Sequence, residues 1–375
     1  MKILIAPDKF KGSLTAHEVC EITSGALLEA DPALDIEVAP LADGGEGTAD
    51  VLTYNTQGRF VEVIVKDPLW RNIQATYGIS DDGSTAFIEM AKASGLQLLR
   101  PHERNPMTTT TFGTGQLIAH ALDQGVAQVV LGIGGSATND AGIGMAQALG
   151  FQFNDADGKM LDGQGGNLSS IHEILSKQKH PSLSQASFFL LCDVNNPLHG
   201  PRGAAHVFAK QKGATDEMIS KLDEGLRHFE TIARKFSDRP VNFPGAGAAG
   251  GLGAGAKLFL NATFESGIDY MVEFLGLQQK IRHADLVITG EGKIDEQTLS
   301  GKVVKGISSM AKRNEKEVTL LCGICELTNS QVNELGAHRL ISLSDADTPP
   351  KQAIAHAREI LHKKVKEWYT NIVSK

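Results

Sequence analysis

VVLGIGGSATNDAGIGMAQALG, residues 129–150, decides how the chain is read. Val129–Leu131 is an apolar run that predicts a buried strand. It enters a turn carrying Gly132, Gly134 and Gly135, followed by Ser136, Thr138, Asn139 and Asp140. A helical pattern follows, with Ile143, Ala146 and Leu149 on one face. Glycine lets the backbone approach a ligand and take conformations closed to other residues. A helix start offers free N–H groups and a positive dipole end. Strand, glycine turn and helix start therefore predict a site for phosphate or carboxylate. The plainer reading is a tight turn whose polar residues act as caps. The density of small polar residues in this turn favours binding.

The two chain ends share that style. Lys2–Ala6 predicts a strand, then APDKFKGSLTAHE leads through the capping-box pair Thr15 and Glu18 into a helix ending near Ala30. Asp8, Lys9, Lys11 and Ser13 thus fall between strand end and helix start, where open α/β sheets bind ligands. Asp35–Ala39 predicts the second strand and leads into PLADGGEGT. There Asp43 and Glu46 flank Gly44–Gly45 and are the metal candidates, suited to Mg²⁺ held partly through water. They serve equally as turn and first-turn acids. Asp285–Thr289 predicts another strand, running into GEGKIDEQTLSGK with Glu291, Asp295 and Lys302. Glu317–Leu321 and Arg339–Leu343 predict the last strands. Gln352–Val373 predicts one long helix whose stripe of Ile354, Ala357, Leu361, Val365, Trp368 and Ile372 packs on the core.

The middle differs. Phe60–Val65, Ile73–Ile79 and Thr85–Met90 read as strands, with Asp82–Gly83 a hairpin turn between the last two. Thr108–Gly115 opens a helix that ends near Asp123. Ser187–Leu191 predicts a strand with Asp193 at its tip, and Lys212 stands beside Gly213. Asp216–Phe236 predicts an amphipathic helix. PGAGAAGGLGAGA, from Pro244, contains G-x-G-x-x-G at Gly245, Gly247 and Gly250, but no strand precedes it. The fold class is α/β. A discontinuous flavodoxin- or Rossmann-like three-layer domain comes from residues 1–60 and 276–375. Residues 61–275 form an inserted second α/β domain, with a cleft expected between the two.

A net charge of −8 with no basic run argues against nucleic acid and anionic membranes as partners. No apolar run approaches a membrane span, and no signal peptide is visible, so a cytoplasmic setting is expected. Cys322 and Cys325 form a lone C-x-x-C with no second pair for zinc, and read as reduced thiols at a strand end.

Glycine loops, lysines and clustered carboxylates suit phosphoryl transfer, which needs positioning, cations and one carboxylate to take a hydroxyl proton. His199 near Asp193 has no serine partner, so acyl hydrolysis fits poorly. Two rivals stand beside this. One is an NAD(P)-dependent oxidoreductase of a small hydroxy acid, with Gly132, Gly134 and Ala137 approximating a fingerprint and Asp155 further on. The other is a non-catalytic anion-binding protein. The P-loop pattern G-x-x-x-x-G-K-[S/T] is absent.

APDKFKGSLTA, PLADGGEGT, GIGGSATNDAGIGMAQALG, CDVNNPLHGPRGAA, QKGA, PGAGAAGGLG and ITGEGKIDEQTLSGK resemble, in this order, the type 1 glycerate kinases of bacteria. The resemblance spans about Met1 to Leu361. It implies two α/β domains and ATP-dependent phosphorylation of D-glycerate, with 2-phosphoglycerate favoured over 3-phosphoglycerate, in the breakdown of glycerate, glyoxylate or sugar acids. ATP and Mg²⁺ are the implied cofactors, and a homodimer is one outcome for the oligomeric state. The chain departs from the pattern with Lys9 where Ser is usual, Ala141 where Gly is frequent and Val304 where Pro is common. On this reading Asp193 or Asp295 is the base for the glycerate hydroxyl. Lys11 and Lys212 hold carboxylate or phosphate. Gly134, Gly135, Ser136, Thr138 and Asn139 cradle one anionic group, with Asp8, Ser13, Glu291 and Lys302 completing the binding set.

Overall fold

The computed structural model describes residues 1–300 and 303–373. Its strands in chain order are β1 (Lys2–Ile5), β2 (Asp35–Val38), β3 (Arg59–Lys66), β4 (Asn72–Ile79), β5 (Thr85–Glu89), β6 (Gln128–Gly132), β7 (Gln152–Asn154), β8 (Glu173–Leu175), β9 (Ser187–Leu191), β10 (Thr263–Glu265), β11 (Leu286–Ile294), β12 (Glu317–Cys325) and β13 (Arg339–Ser342). The chain forms two compact units. One is built from Met1–Asp43 and Gly267–Lys375, the other from Gly44–Ser266. The second unit begins ahead of the expected residue 61, because the helix Thr48–Asn55 packs on β4 and β5, and it ends ahead of the expected residue 275.

The first unit is a five-stranded, wholly parallel sheet in the order β13-β12-β11-β1-β2. Alternation along the strands supplies both faces. Ile3, Ile5, Ile288 and Leu321 join the core formed with the helices Ala16–Ala30 and Ala357–Val373. Leu4, Val287 and Leu320, equally buried, turn to the opposite face, where the helices Leu277–His283 and Val303–Arg313 lie. Thr15 and Glu18 cap the first helix reciprocally, as the sequence predicts. From β1 the chain moves to β2 on one side, whereas β11, β12 and β13 proceed outward on the other. The winding therefore reverses between β1 and β11, and their carboxyl-end loops flank a crevice.

The predicted single C-terminal helix is two, Pro350–Ala355 and Ala357–Val373, broken at His356. Ile354 accordingly lies 49% exposed and leaves the apolar stripe. The side chain of Ile372 lies outside the described residues.

The second unit has a six-stranded sheet in the order β10-β9-β6-β5-β4-β3. Strands β5, β6, β9 and β10 run parallel, and β3 and β4 are antiparallel. Spatial order follows chain order throughout this sheet, so it has no reversal point. Its ligand-facing capacity must come from loop chemistry. The helix Asp216–Phe236 buries the predicted face of Ile219, Leu222, Leu226, Phe229 and Ala233. Among the described residues, no helix is long and apolar enough to cross a membrane.

Candidate functional site

In the first unit the loop after β1 is tied to the second half of β11. The Asp8 amide donates to Gly290 O at 2.8 Å and the Gly292 amide to Lys9 O at 3.3 Å. The approach is so close that a Cβ on Gly292 would stand 2.7 Å from the backbone nitrogen of Lys11, so only glycine fits there. This contact brings Asp8 beside Glu291 at the reversal point. Burial pushes the Asp8 carboxyl up to about 7, against the Lys9 amide that donates to its Oδ1 at 2.6 Å. The charges of Asp43 and Glu291 raise it further. Burial likewise raises Glu291, whose Oε1 accepts from Thr298 Oγ1 at 2.7 Å, and the charges of Asp295 and Asp43 add to the rise. Four carboxylates thus share one edge of the sheet.

Asp295 has a different setting from Asp8. Its Oδ1 accepts the Gln297 amide at 2.9 Å and its Oδ2 pairs with Lys293 at 3.2 Å, and these contacts hold its pKa below the usual range. Lys11 is exposed, and Ser13 donates to Phe10 O at 3.1 Å to close the small turn. Lys302 lies outside the described residues. Cys322 and Cys325 are free thiols, and burial pushes Cys322 up to about 12. A thiol so hard to ionise is a packing residue.

In the second unit the glycine turn after β6 divides in two. Gly134 and Gly135 are exposed, whereas Ser136, Thr138, Asn139 and Asp140 are buried. The helix that follows is short, Ile143–Ala148, and its start is already occupied. The Asp140 carboxylate accepts the amides of Gly142, Gly144 and Thr111, and the Thr111 hydroxyl at 2.7 Å. The helix start that the sequence offered to an outside anion is filled by the chain's own carboxylate. Lys212 is 1% exposed, and its Nζ donates to Ser136 Oγ at 2.7 Å and Thr138 O at 2.6 Å. Burial lowers its pKa to about 7, opposed by the charge of Asp140. Lys212, Ser136 and Thr138 do come together, as a buried brace behind the exposed glycines. Among the described residues Thr138 Oγ1 and both amide atoms of Asn139 are buried without a hydrogen-bond partner.

The Gly/Ala stretch after Pro244 packs behind this brace. Ala249, Gly250 and Gly251 take left-handed conformations, and Gly250 O accepts the Ala141 amide at 3.1 Å. A Cβ on Gly250 would stand 2.0 Å from Thr138 O. These glycines are buried packing positions. Asp155, the residue of the dinucleotide alternative, closes a turn by accepting the amides of Asp157 and Lys159. His199 pairs with Glu230 at 2.6 Å. Asp193 is half-buried on the loop after β9.

Glu46 is exposed on the Gly44–Gly47 loop, which lies against the β6 turn: a Cβ on Gly134 would stand 3.3 Å from Gly45 Cα. Glu89, which sequence reasoning missed, ends β5 and accepts the Ala49 amide at 2.9 Å, capping the helix Thr48–Asn55. Burial raises its pKa. The available signal was an acid closing an otherwise apolar run, TAFIE.

Among the described residues no three His, Cys, Asp or Glu side chains converge as a metal cage. The fit to Mg²⁺ rests instead on the donor chemistry of Asp43 and Glu291. These are hard oxygen ligands whose mutual repulsion a divalent cation would relieve. Mg²⁺ retains water and takes only one or two carboxylates beside substrate phosphates, so a protein-only cage is not required.

Residues 3–372 match the family described as the glycerate kinase family. A glycerate kinase of Bacillus cereus is 43% identical over 360 residues, covering 96% of this chain and 94% of that protein. A glycerate 2-kinase of Escherichia coli is 44% identical, covering 86% of this chain and 85% of its own length. The crystal structure of a protein described as glycerate kinase 2 from Salmonella typhimurium superposes with a TM-score of 0.91 at 41% identity, over 100% of this chain and 98% of that one. A family match of this extent, on an α/β fold with carboxylates gathered at a sheet reversal, establishes that the chain belongs to the glycerate kinase family.

Proposed function

We propose that the chain transfers the γ-phosphoryl group of ATP to D-glycerate, giving 2-phosphoglycerate and ADP, in the cytoplasm. The observation that carries the reading is the pairing of Asp8 and Glu291 at the reversal between β1 and β11, with exposed Lys11 on the same loop. In the reaction a glycerate hydroxyl oxygen forms a bond to the γ-phosphorus, the β–γ bridging bond breaks and ADP leaves. The hydroxyl proton passes to a carboxylate.

Asp8 is our choice for that carboxylate. Its pKa near 7 lets it be ionised at working pH and still hold a proton well. Asp295, one of the two bases named from sequence, is engaged with Lys293 and the Gln297 amide. Asp193 is the second candidate. Lys11 would pair with the glycerate carboxylate or a phosphate. The exposed amides of Gly134–Gly135 would receive one anionic group, held in shape from behind by Lys212, Ser136 and Thr138. Asp43 and Glu291 would hold Mg²⁺, whose contribution when bound is to neutralise charge on the phosphates.

An ADP-release assay with ATP, Mg²⁺ and D-glycerate tests the reading, with the product resolved by NMR. Turnover to 2-phosphoglycerate supports it. Formation of 3-phosphoglycerate would overturn the regiochemistry, and no turnover by folded protein would overturn the substrate.

A further inference from the structure

At the opposite edge of the second unit's sheet lies a cavity of ≈ 590 Å³. It opens at Ser187 and Thr263, the first residues of β9 and β10, whereas the glycine turn follows the carboxyl end of β6. One strand length, roughly 13–17 Å, separates the two edges. Buried Phe151, Phe188 and Phe259 lie at its floor, and Lys179 and Arg239 stand exposed at its rim. Serines 176, 184 and 237 add hydroxyls. The lining contains no Asp or Glu, in a chain with 44 acidic residues and a net charge of −8.

The cationic side is built into the backbone. Residues Ala256–Leu260 form a π-helix, closed by Asn261 in a left-handed conformation. Such turns are rare and frequently mark functional sites. Leu258 O accepts from Arg239 Nη1 at 2.8 Å, which fixes the guanidinium at the rim with donors to spare. Lys179 has no ion-pair partner among the described residues. Neither residue belongs to the phosphoryl-transfer machinery proposed above.

We propose that this cavity is a second ligand site, for a small phosphate- or carboxylate-bearing metabolite whose apolar body rests on the phenylalanine floor. Its volume falls in the range of small-molecule sites, and its charge selects anions against the acidic background of the protein.

Phenyl phosphate is the probe, titrated calorimetrically into the wild type, Lys179→Glu, Arg239→Glu and Lys11→Ala. Saturable binding to the wild type is expected. Each charge reversal should weaken it by about tenfold or more, while Lys11→Ala leaves it unchanged. Glycerate turnover by Lys179→Glu should stay within about twofold of wild type, showing that the fold is intact. Because Arg239→Glu also removes the bond to Leu258 O, Lys179→Glu decides the matter if Arg239→Glu is poorly folded. Three results would overturn the proposal: no binding to the wild type at millimolar probe, unchanged binding in Lys179→Glu, or loss of binding in Lys11→Ala.

Discussion

The ammonium nitrogen of Lys212 lies 2.6 Å from the carbonyl oxygen of Thr138, enclosed in protein. Burial depresses its pKa from 10.5 to about 7. Between those values the unfolded chain holds a proton that the native state lacks. Stability therefore rises with pH across that window, and the penalty for a buried ammonium is fullest below about 7. Urea unfolding at pH 7 and pH 9 should show a larger gain for the wild type than for Lys212→Met, which cannot titrate. The variant also loses two hydrogen bonds, each worth about 1 kcal/mol. Equal pH responses in the two proteins would contradict the buried-ammonium account.

Asp8 gives the opposite slope. Its folded pKa, about 7, exceeds its ordinary value of 3.8, so the native state holds the extra proton between them. Stability falls as pH rises through that window. Asp8→Asn should be more stable than wild type at pH 8. It should also be slower by about 10²–10⁴-fold in kcat, the usual worth of a positioned proton acceptor. Wild-type kcat/KM should climb as pH rises through about 7, since the base must be ionised. A variant that is more stable yet fully active would remove Asp8 from the chemistry.

The fold was readable because its signals were local. The capping box of Thr15 and Glu18, the apolar strands and the amphipathic face of Asp216–Phe236 each follow from short-range pattern. The break at His356 was not, because the apolar spacing continues through it while Ile354 turns to solvent. Among the candidate residues, sequence singled out Asp8, Lys11, Glu291 and the glycine turn because each was expected between a strand and a helix, whereas Glu291 lies inside β11, which runs on to Ile294. It could not distinguish inward from outward polar residues within one loop. Asp140 at the helix start and Lys212 behind Thr138 look like ligand groups until burial is known. Glu89 escaped because it ends a strand rather than sitting in a glycine loop.

Asp295 provides a control for the choice of base. Its carboxylate receives the Gln297 amide at the start of the helix Glu296–Ser300. Asp295→Ala should lower stability by about 0.5–2 kcal/mol, the worth of a lost cap. Asp295→Asn, which keeps an acceptor oxygen, should restore most of it. Both should retain kcat far above that of Asp8→Asn in the same ADP-release assay. If Asp295→Asn matched Asp8→Asn in lost turnover while remaining folded, the base would be Asp295.

Gly250 and Gly134 separate packing from ligand contact in the second unit. Gly250 is buried at a positive φ of 71°, and an added Cβ would stand 2.0 Å from Thr138 O. The clash is with backbone, which cannot swing aside as a side chain can. Gly250→Ala should therefore destabilise by at least the ~1–3 kcal/mol typical of overpacking, and displace the Thr138–Ala141 segment that Lys212 braces. Gly134 is exposed, and its added Cβ would meet Gly45 Cα at 3.3 Å, a contact relieved by a shift of a few tenths of an ångström. Gly134→Ala should lose well under 1 kcal/mol of stability, yet its methyl group would stand where an anion must approach the turn. A rise in KM for ATP or glycerate with little change in urea midpoint is the expected signature. Unchanged kinetics in a folded Gly134→Ala would show that no substrate group rests on this turn.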